Sequence, residues 1–204
     1  GMKPNKPYVL GLTGGIACGK SYVAQLLRQR GIPVLDADAI SRSLTAPGGE
    51  ALPAVRAAFG DQVFDGDTLN RRALGEVVFA DPAARKRLEG ILHPLIISRM
   101  QRETEASGAP LVAWDVPLLY ETGMDAQCDE VWCVSIPAGM QARRIMHRDQ
   151  LSRPQALRRM ASQLPLAEKR RRADHVIDTS GNFRSTNRRV RGLLRNTQRR
   201  NYFE

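Results

Sequence analysis

The stretch "YVLGLTGGIACGKSYVAQLLRQRG", residues 8–31, points to the fold class more sharply than any other. Residues 8–13 form an apolar run, the middle is rich in glycine, and the end places Val23, Leu26 and Leu27 at helical spacing before Gly31. The reading is strand, loop, helix. Inside it "GGIACGKS", residues 14–21, satisfies G-x-x-x-x-G-K-[ST] with Gly14, Gly19, Lys20 and Ser21 in register. Glycines at these places let successive backbone N–H groups turn inward on phosphate oxygens, and the N-terminus of the following helix adds partial positive charge. Lys20 is then expected to reach the transferable phosphate of a nucleotide, and Ser21 to ligate Mg²⁺.

Elsewhere in the chain, "IPVLDAD" (32–38), "PLVAWDVP" (110–117), "DEVWCVSIP" (129–137) and "DHVIDTSG" (174–181) read as further strands, and residues 182–200 as a closing helix. Strands alternating with helices give a three-layer α/β fold of the P-loop NTPase type, with a parallel sheet covered on both faces. Two intervals interrupt the alternation. Residues 39–106 show helical patterns and no convincing strand, so they read as an all-helical insertion; Pro82 suits a first helical turn there. Residues 140–172 are crowded with arginine and broken by Pro154 and Pro165, and "SRPQ" (152–155) has the form of a capping box. They read as a helical hairpin over the ligand edge of the sheet. The expected domains are therefore a core of residues 1–38, 107–139 and 173–204, an insertion at 39–106 and a lid at 140–172.

Composition narrows the class. A chain of 204 residues with 42% apolar residues is long enough for one sizeable core plus insertions. Its three cysteines, Cys18, Cys128 and Cys133, make neither an even framework nor a metal-ligand spacing, which suits free thiols in the cytoplasm. No run approaches the roughly 18 apolar residues of a membrane span, and the N-terminal residues lack a signal-peptide stretch. Gly1 before Met2 reads as a tag remnant. The net charge of +10 is unevenly placed: residues 1–139 hold 14 basic and 16 acidic side chains, residues 140–204 hold 17 and 5. All the excess lies in the last third, which points to a phosphate-rich partner without choosing between polymer and small molecule.

A phosphate loop does not say what receives the phosphate. No N-K-x-D guanine signature comes after it. The next motif is instead "DAD" at the carboxyl end of the second strand, the edge where open parallel sheets bind ligands. Residues two apart on a strand share a face, so Asp36 and Asp38 would both point at the crevice, one taking a proton from an acceptor hydroxyl and the other orienting it or a Mg²⁺-bound water. The plainer alternative is a helix cap and a surface charge.

The ordered set "LTGGIACGKS", "VLDAD", "LNRRAL" (69–74), "LHPLI" (92–96), "DVPLLYE" (115–121), "HRD" (147–149), Gln163 and "ADHVID" (173–178) resembles the dephospho-CoA kinase family over nearly the whole chain. That resemblance implies transfer of the γ-phosphate of MgATP to the ribose 3′-hydroxyl of dephospho-CoA, the last step of coenzyme A synthesis. It implies a nucleotide-binding core, a helical domain that holds the acceptor, and a mobile lid. ATP would be held by Gly14, Gly15, Ile16, Ala17, Cys18, Gly19, Lys20, Ser21 and Tyr22, with Ser180 and Gly181 near adenine. Asp38 becomes the base. Thr13, Arg71, His93 and Pro94 join it on the acceptor side, with Arg71 set to neutralise the diphosphate. Arg144 and Arg148 belong to the lid, over the ATP phosphates, and Ser21, Asp36 and Asp115 lie near magnesium. Glu121 would cap the segment after it.

Three departures from the family pattern stand out. Ala17 and Cys18 replace the commoner Gly and Ser, at places that contribute mainly backbone N–H groups. Tyr22 replaces a threonine, so a phosphate contact there is lost or made by backbone. Thr179, Ser180 and Gly181 stand where Asn and Gly are common. Cys18 raises its own question, since the loop would stabilise a reactive thiolate unless the sulfur turns into the protein. Two other readings remain open. A kinase of another small acceptor shares loop, lid and base, and the arginine-rich C-terminal helix suits a nucleic-acid-binding ATPase. That helix has little aromatic content for stacking, and its Val190, Leu193 and Leu194 suit packing on the sheet, so ATP and dephospho-CoA are the expected partners, without specific nucleic acid or membrane, and a monomer the expected state.

Overall fold

The computed structural model describes residues 6–202; Gly1, with its reading as a tag remnant, and residues 2–5 lie outside the described residues, as do 203 and 204. In chain order the elements are β1 (Tyr8–Gly14), α1 (Lys20–Gln29), β2 (Val34–Asp36), α2 (Ala37–Leu44), α3 (Leu52–Phe59), β3 (Phe64–Asp65), β4 (Thr68–Leu69), α4 (Arg71–Ala80) and α5 (Pro82–Ala106). Then come β5 (Leu111–Asp115), β6 (Glu130–Ser135), α6 (Ala138–Asp149), α7 (Arg153–Ala161), α8 (Leu166–Arg172), β7 (His175–Asp178) and α9 (Phe183–Tyr202). Five strands form one sheet in the order β2-β5-β1-β6-β7. β1 lies in the middle, parallel to β5 on one side and β6 on the other, with Leu12 opposite Asp115 and Gly14 opposite Val134. β6 runs parallel to β7.

β5 and β6 are buried at every position, which is why they read as near-continuous apolar runs. Their carboxyl ends, and that of β1, therefore emerge together at one edge of a rigid platform. The core on which the platform rests includes Leu10, Leu12, Val23, Leu27, Trp132, Val134 and Ile177, with Val190, Leu193 and Leu194 of α9 packed into it. The most deeply buried carboxylate among the described residues lies there. Glu130, 2% exposed, accepts from the Tyr8 hydroxyl (3.0 Å), Trp132 Nε1 (2.6 Å), Thr197 Oγ1 (2.9 Å) and Arg200 Nη2 (3.1 Å), so its charge is fully hydrogen-bonded and ties α9 to β1 and β6. The outer side of α9 presents Arg184, Arg188, Arg191, Arg195 and Arg199, all exposed.

Residues 36–106 form a second compact unit with its own core of Leu44, Val55, Phe59, Val63, Phe64, Leu69, Leu74 and Ala84. The expectation of an all-helical insertion needs one correction: β3 and β4 pair antiparallel, Phe64 opposite Leu69 and Asp65 opposite Thr68, about a turn at Gly66 with φ +62°. Runs of two residues carry no alternation to read, and only the Asp-Gly turn signal marks the hairpin. The hairpin contributes Phe64 and Leu69 to the same core that α2 to α5 cover. Residues 140–172 cluster with the unit that contains the large sheet. They form three helices, counting α6, rather than one hairpin, because Ser152 and Gln155 make the full capping box that starts α7 and Pro165 starts α8.

Candidate active site

The loop between β1 and α1 turns on two backbone features. Gly19, the N-cap of α1, has φ +86°, and Ala17 has φ +61°, a left-handed conformation uncommon for a residue with a Cβ. Alternating right- and left-handed residues aim consecutive amides into one concavity, and the amides of Lys20 and Ser21 head the helix, where no earlier turn can accept them. A chain that tolerates strain at Ala17 does so where the surrounding structure holds it in place. Gly15 is confined for a different reason: a Cβ there would lie 2.6 Å from Gln141 Nε2 and 3.2 Å from Leu166 Cδ2. α6 and α8 therefore press directly on the loop.

Cys18 is 1% exposed, with its sulfur turned into the core. Burial pushes its thiol up, outweighing backbone hydrogen bonds to Ile136 and Gly15 and the fields of Arg144 and Lys169. Of the two readings of this residue, the structure shows the inward one. Its carbonyl accepts from Thr179 Oγ1 at 2.6 Å, so the turn after β7 is hydrogen-bonded to the phosphate loop, with Ser180 and Gly181 next along the chain. The Ser180 amide donates to Asp178 Oδ1 at 2.7 Å. The Tyr22 amide donates to the Gly19 carbonyl at 3.1 Å and its ring packs on Phe183, with centroids 4.8 Å apart. Tyr22 thus braces α1 against α9, with its amide already engaged in the first helical turn.

Lys20 is ion-paired with Asp115 Oδ1 at the carboxyl end of β5, and both side chains are largely buried. The Ser21 side chain stands exposed beside them in sequence. Mg²⁺ takes one or two protein ligands with phosphates and water completing its shell, so a hydroxyl and a carboxylate are a fitting donor set. Thr13 requires a correction: it is 0% exposed and its hydroxyl donates to the Pro117 carbonyl at 3.0 Å. A buried hydroxyl on a central strand takes the nearest acceptor, and here that is the chain leaving β5.

Lid and loop are also joined. Ala17, Gly19 and Ser21 line a cleft of about 520 Å³ with Met140, Arg143, Arg144, His147 and Arg148 of α6. Arg144 Nη1 reaches the Ala17 carbonyl at 3.5 Å. Arg148 is exposed and forms a two-pronged pair with Asp149, Nε to Oδ1 at 3.0 Å and Nη2 to Oδ2 at 3.1 Å; Arg159 shares Oδ2 at 2.5 Å. The guanidinium groups of Arg148 and Arg159 hold the half-buried Asp149 carboxyl below the usual range. The arginines of α9 line a different groove, with Ser185, Gly192 and Asn196 and no residue of the phosphate loop.

Sequence reading missed two residues that assemble this site, Lys169 and Gln141, and gave Glu121 a different role. Lys169 is 0% exposed, and its ammonium meets the Gln163 Oε1 at 2.9 Å, the Pro117 carbonyl at 3.1 Å and Glu121 Oε2 at 3.2 Å. Three donors meet three acceptors, so the buried charge is fully satisfied. Glu121 also accepts from the Leu164 amide at 3.0 Å; it holds the start of α8 rather than capping its own segment. Gln141 Nε2 donates to the Ile16 carbonyl at 3.0 Å. The only sequence signal for Lys169 is a lone lysine among arginines, and nothing local shows that it is buried.

β2 stops at Asp36, the first residue of the second unit, which N-caps α2: its Oδ1 accepts from the amides of Asp38 (2.9 Å) and Ala39 (3.1 Å). The strand reading of Asp36 and Asp38 is thereby corrected, since Asp38 is an exposed residue of the first helical turn. A carboxylate at a helix start satisfies two amides that a strand residue would leave to its neighbours. Arg71, the first residue of α4, donates to the Arg42 carbonyl at 3.2 Å and lines a small groove of about 200 Å³ with Ser41, Arg42 and Thr45. His93 and Pro94 lie mid-way along α5, outside that groove; Pro94 is exposed, and its missing N–H leaves the Gly90 carbonyl without its helical donor.

The dephospho-CoA kinase family matches residues 8–185. A dephospho-CoA kinase of Anaeromyxobacter dehalogenans is 50% identical over 177 residues, 85% of this chain and 84% of its own length. One of Shouchella clausii is 41% identical over 192 residues, covering 92% of this chain and 98% of that protein. Among solved structures, TT1252 from Thermus thermophilus superposes with a TM-score of 0.81 at 36% identity, covering 94% of this chain and 98% of that one. A dephospho-CoA kinase from Campylobacter jejuni gives 0.61 at 24% identity, covering 94% and 97%, which shows the shared fold.

Proposed function

Because this chain belongs to the dephospho-CoA kinase family, we propose that its phosphate-loop cleft transfers the γ-phosphate of MgATP to the ribose 3′-hydroxyl of dephospho-CoA. Its activity is the phosphorylation of dephospho-CoA in coenzyme A synthesis. The observation that carries the residue-level reading is the loop itself, with Gly19 and Ala17 turned left-handed and Lys20 held by Asp115 at the sheet edge. The amides from Gly15 to Ser21 bind phosphate oxygens, Lys20 neutralises the transferring group, and Ser21 with Asp115 faces the magnesium of MgATP. Asp36, whose carboxylate already caps α2, would supply a further oxygen ligand for that ion.

Asp38 accepts the 3′-hydroxyl proton. The O3′–γ-phosphorus bond forms, the bond from γ-phosphorus to the bridging oxygen breaks, and ADP leaves with the electron pair. Arg144 and Arg148 of α6 stabilise the charge that spreads over the equatorial oxygens, and the lid of α6 to α8 excludes water while they do so. Thr179 tethers the turn that carries Ser180 and Gly181 to the loop, which supports an adenine seat there. Arg71, with His93 and Pro94, takes the acceptor. Three free cysteines suit a reducing cytoplasm, and no described helix is long and apolar enough to cross a membrane.

The test is a coupled ADP-release assay with dephospho-CoA, AMP, simple sugars and RNA offered in parallel. Release with dephospho-CoA alone is the expected result. Equal or greater release with AMP, a sugar or RNA overturns the assignment.

A further inference from the structure

The phosphate loop has a second face. Gly15 and Ile16 open on a cavity of about 620 Å³ bounded by Pro137, Ala138 and Gln141 of α6, Leu157, Met160 and Ala161 of α7, and Leu164 to Ala167 with Arg170 at α8. Its volume falls within the range of small-molecule sites, and its walls are mostly apolar, with a few polar groups at fixed places. Leu157 leaves 43% of its surface uncovered and lends part of it to this wall. The polar groups are held from outside. Gln141 is anchored through Nε2 to the Ile16 carbonyl, which leaves its Oε1 as an acceptor, and Gln163 is anchored through Oε1 to Lys169, which leaves its NH₂ as a donor. Lys169 and Glu121 fix the α7–α8 turn that carries Gln163 and Leu164.

Nothing in phosphate transfer requires an apolar chamber. The phosphates of ATP are met by amides and cations and its adenine by the turn after β7, and the acceptor's diphosphate and ribose hydroxyls call for charged and polar groups. Dephospho-CoA carries one long, uncharged part, the pantetheine arm, with a gem-dimethyl group, two amides and a terminal thiol. That chemistry is a slender apolar chain with a donor and an acceptor at intervals, which is what this cavity offers. The cavity also starts at Gly15 and Ile16, in the same loop that holds the transferring phosphate. We propose that this cavity between the phosphate loop, α6, α7 and α8 seats the pantetheine arm, and that Leu157, Met160 and Leu164 set the preference for dephospho-CoA over acceptors without the arm. The inference rests on the reading under Proposed function. It gives the lid a share in acceptor choice beyond covering phosphates.

The experiment compares two acceptors, dephospho-CoA and the P²-methyl ester of ADP, which keeps the ribose and diphosphate and lacks the arm. Transfer of labelled γ-phosphate is followed for the wild type, Leu157→Asp and Ala161→Trp, both at exposed positions of α7 where folding is little affected. The variants are expected to raise KM for dephospho-CoA roughly tenfold or more, the usual effect of losing an apolar contact in a pocket, while KM for ATP and for the methyl ester stays within about twofold. Ala161→Trp acts by filling the cavity and Leu157→Asp by making it polar, so agreement between them excludes a local defect. If the wild type phosphorylates dephospho-CoA but the variants keep its preference, or lose both acceptors equally, the arm does not lie here. If the wild type fails to phosphorylate dephospho-CoA at all, the functional reading falls and this inference with it.

Discussion

Lys20, the first residue of α1, is ion-paired with Asp115, the last residue of β5, across neighbouring strands of the sheet. The pair brings the phosphate-loop cation to the strand end where magnesium is expected. Lys20→Ala should abolish phosphate transfer without unfolding the chain, because the ammonium acts on phosphate charge. Asp115→Asn should instead keep the fold and shift the Mg²⁺ concentration for half-maximal rate upward by severalfold. Titration of rate against Mg²⁺ separates them; an unchanged Mg²⁺ dependence in Asp115→Asn would remove that residue from the metal's surroundings.

The two carboxylates of "DAD" should behave differently, since one caps a helix and the other stands exposed on it. Asp38→Asn is expected to lower kcat by roughly 10² to 10⁴ with little effect on acceptor KM, the range for loss of a general base. Asp36→Ala should cost about 1 kcal/mol of stability through loss of the cap. Near-normal turnover in Asp38→Asn would show that another group takes the proton.

Lys169 is buried with three acceptors around it, so replacing it leaves Glu121 and Gln163 without their shared donor. Lys169→Met should destabilise by about 3 kcal/mol, as removal of one partner of a buried pair does, and the double variant Lys169→Met/Glu121→Gln should recover part of the loss. Urea unfolding of the four proteins in the cycle measures the coupling. Additive losses would mean that the two side chains do not act on one another.

All three thiols are raised by burial: Cys18 upward from its ordinary value, Cys133 to about 11 against the opposing fields of Lys169 and Arg170, and Cys128 to about 12 with Asp125 and Asp129 adding to the rise. Labelling by iodoacetamide at pH 8 should therefore be slow at every cysteine and indifferent to MgATP. Rapid, ATP-protected alkylation of Cys18 would contradict its inward position. A raised thiol pKa means the folded state favours the neutral form, so this stability is complete below the ordinary value of 9.0 and is lost as pH climbs toward 11 to 12. Urea midpoints should be level from pH 7 to 8.5 and fall at pH 10.

The exposed arginines of α9 line a groove separate from the phosphate cleft, with no aromatic side chain for stacking. Gel shifts with RNA or duplex DNA at moderate salt should show weak binding that falls steeply as salt rises. Sequence-selective binding that survives high salt would restore the nucleic-acid reading.

The phosphate loop, the alternating strands and helices, the two interruptions and the capping box at Ser152 are all legible in the amino-acid order, because each is written in residues close together along the chain. The loop needs glycines and a lysine at set intervals, and buried parallel strands need continuous apolar runs. The roles of the polar residues beside those elements emerge only once the chain is folded. "DAD" looks like the end of a strand, yet the amides at the start of α2 are better satisfied by the Asp36 carboxylate than by continued pairing, and Asp38 moves onto a helix. Thr13 lies in the family's pattern beside the loop, but a central strand buries its hydroxyl against Pro117. Glu121 stands far ahead of Gln163 and Lys169 along the chain, and the three meet only because α8 folds back on the end of β5. Burial and hydrogen-bond partners are properties of residues remote in sequence, and no local pattern encodes them.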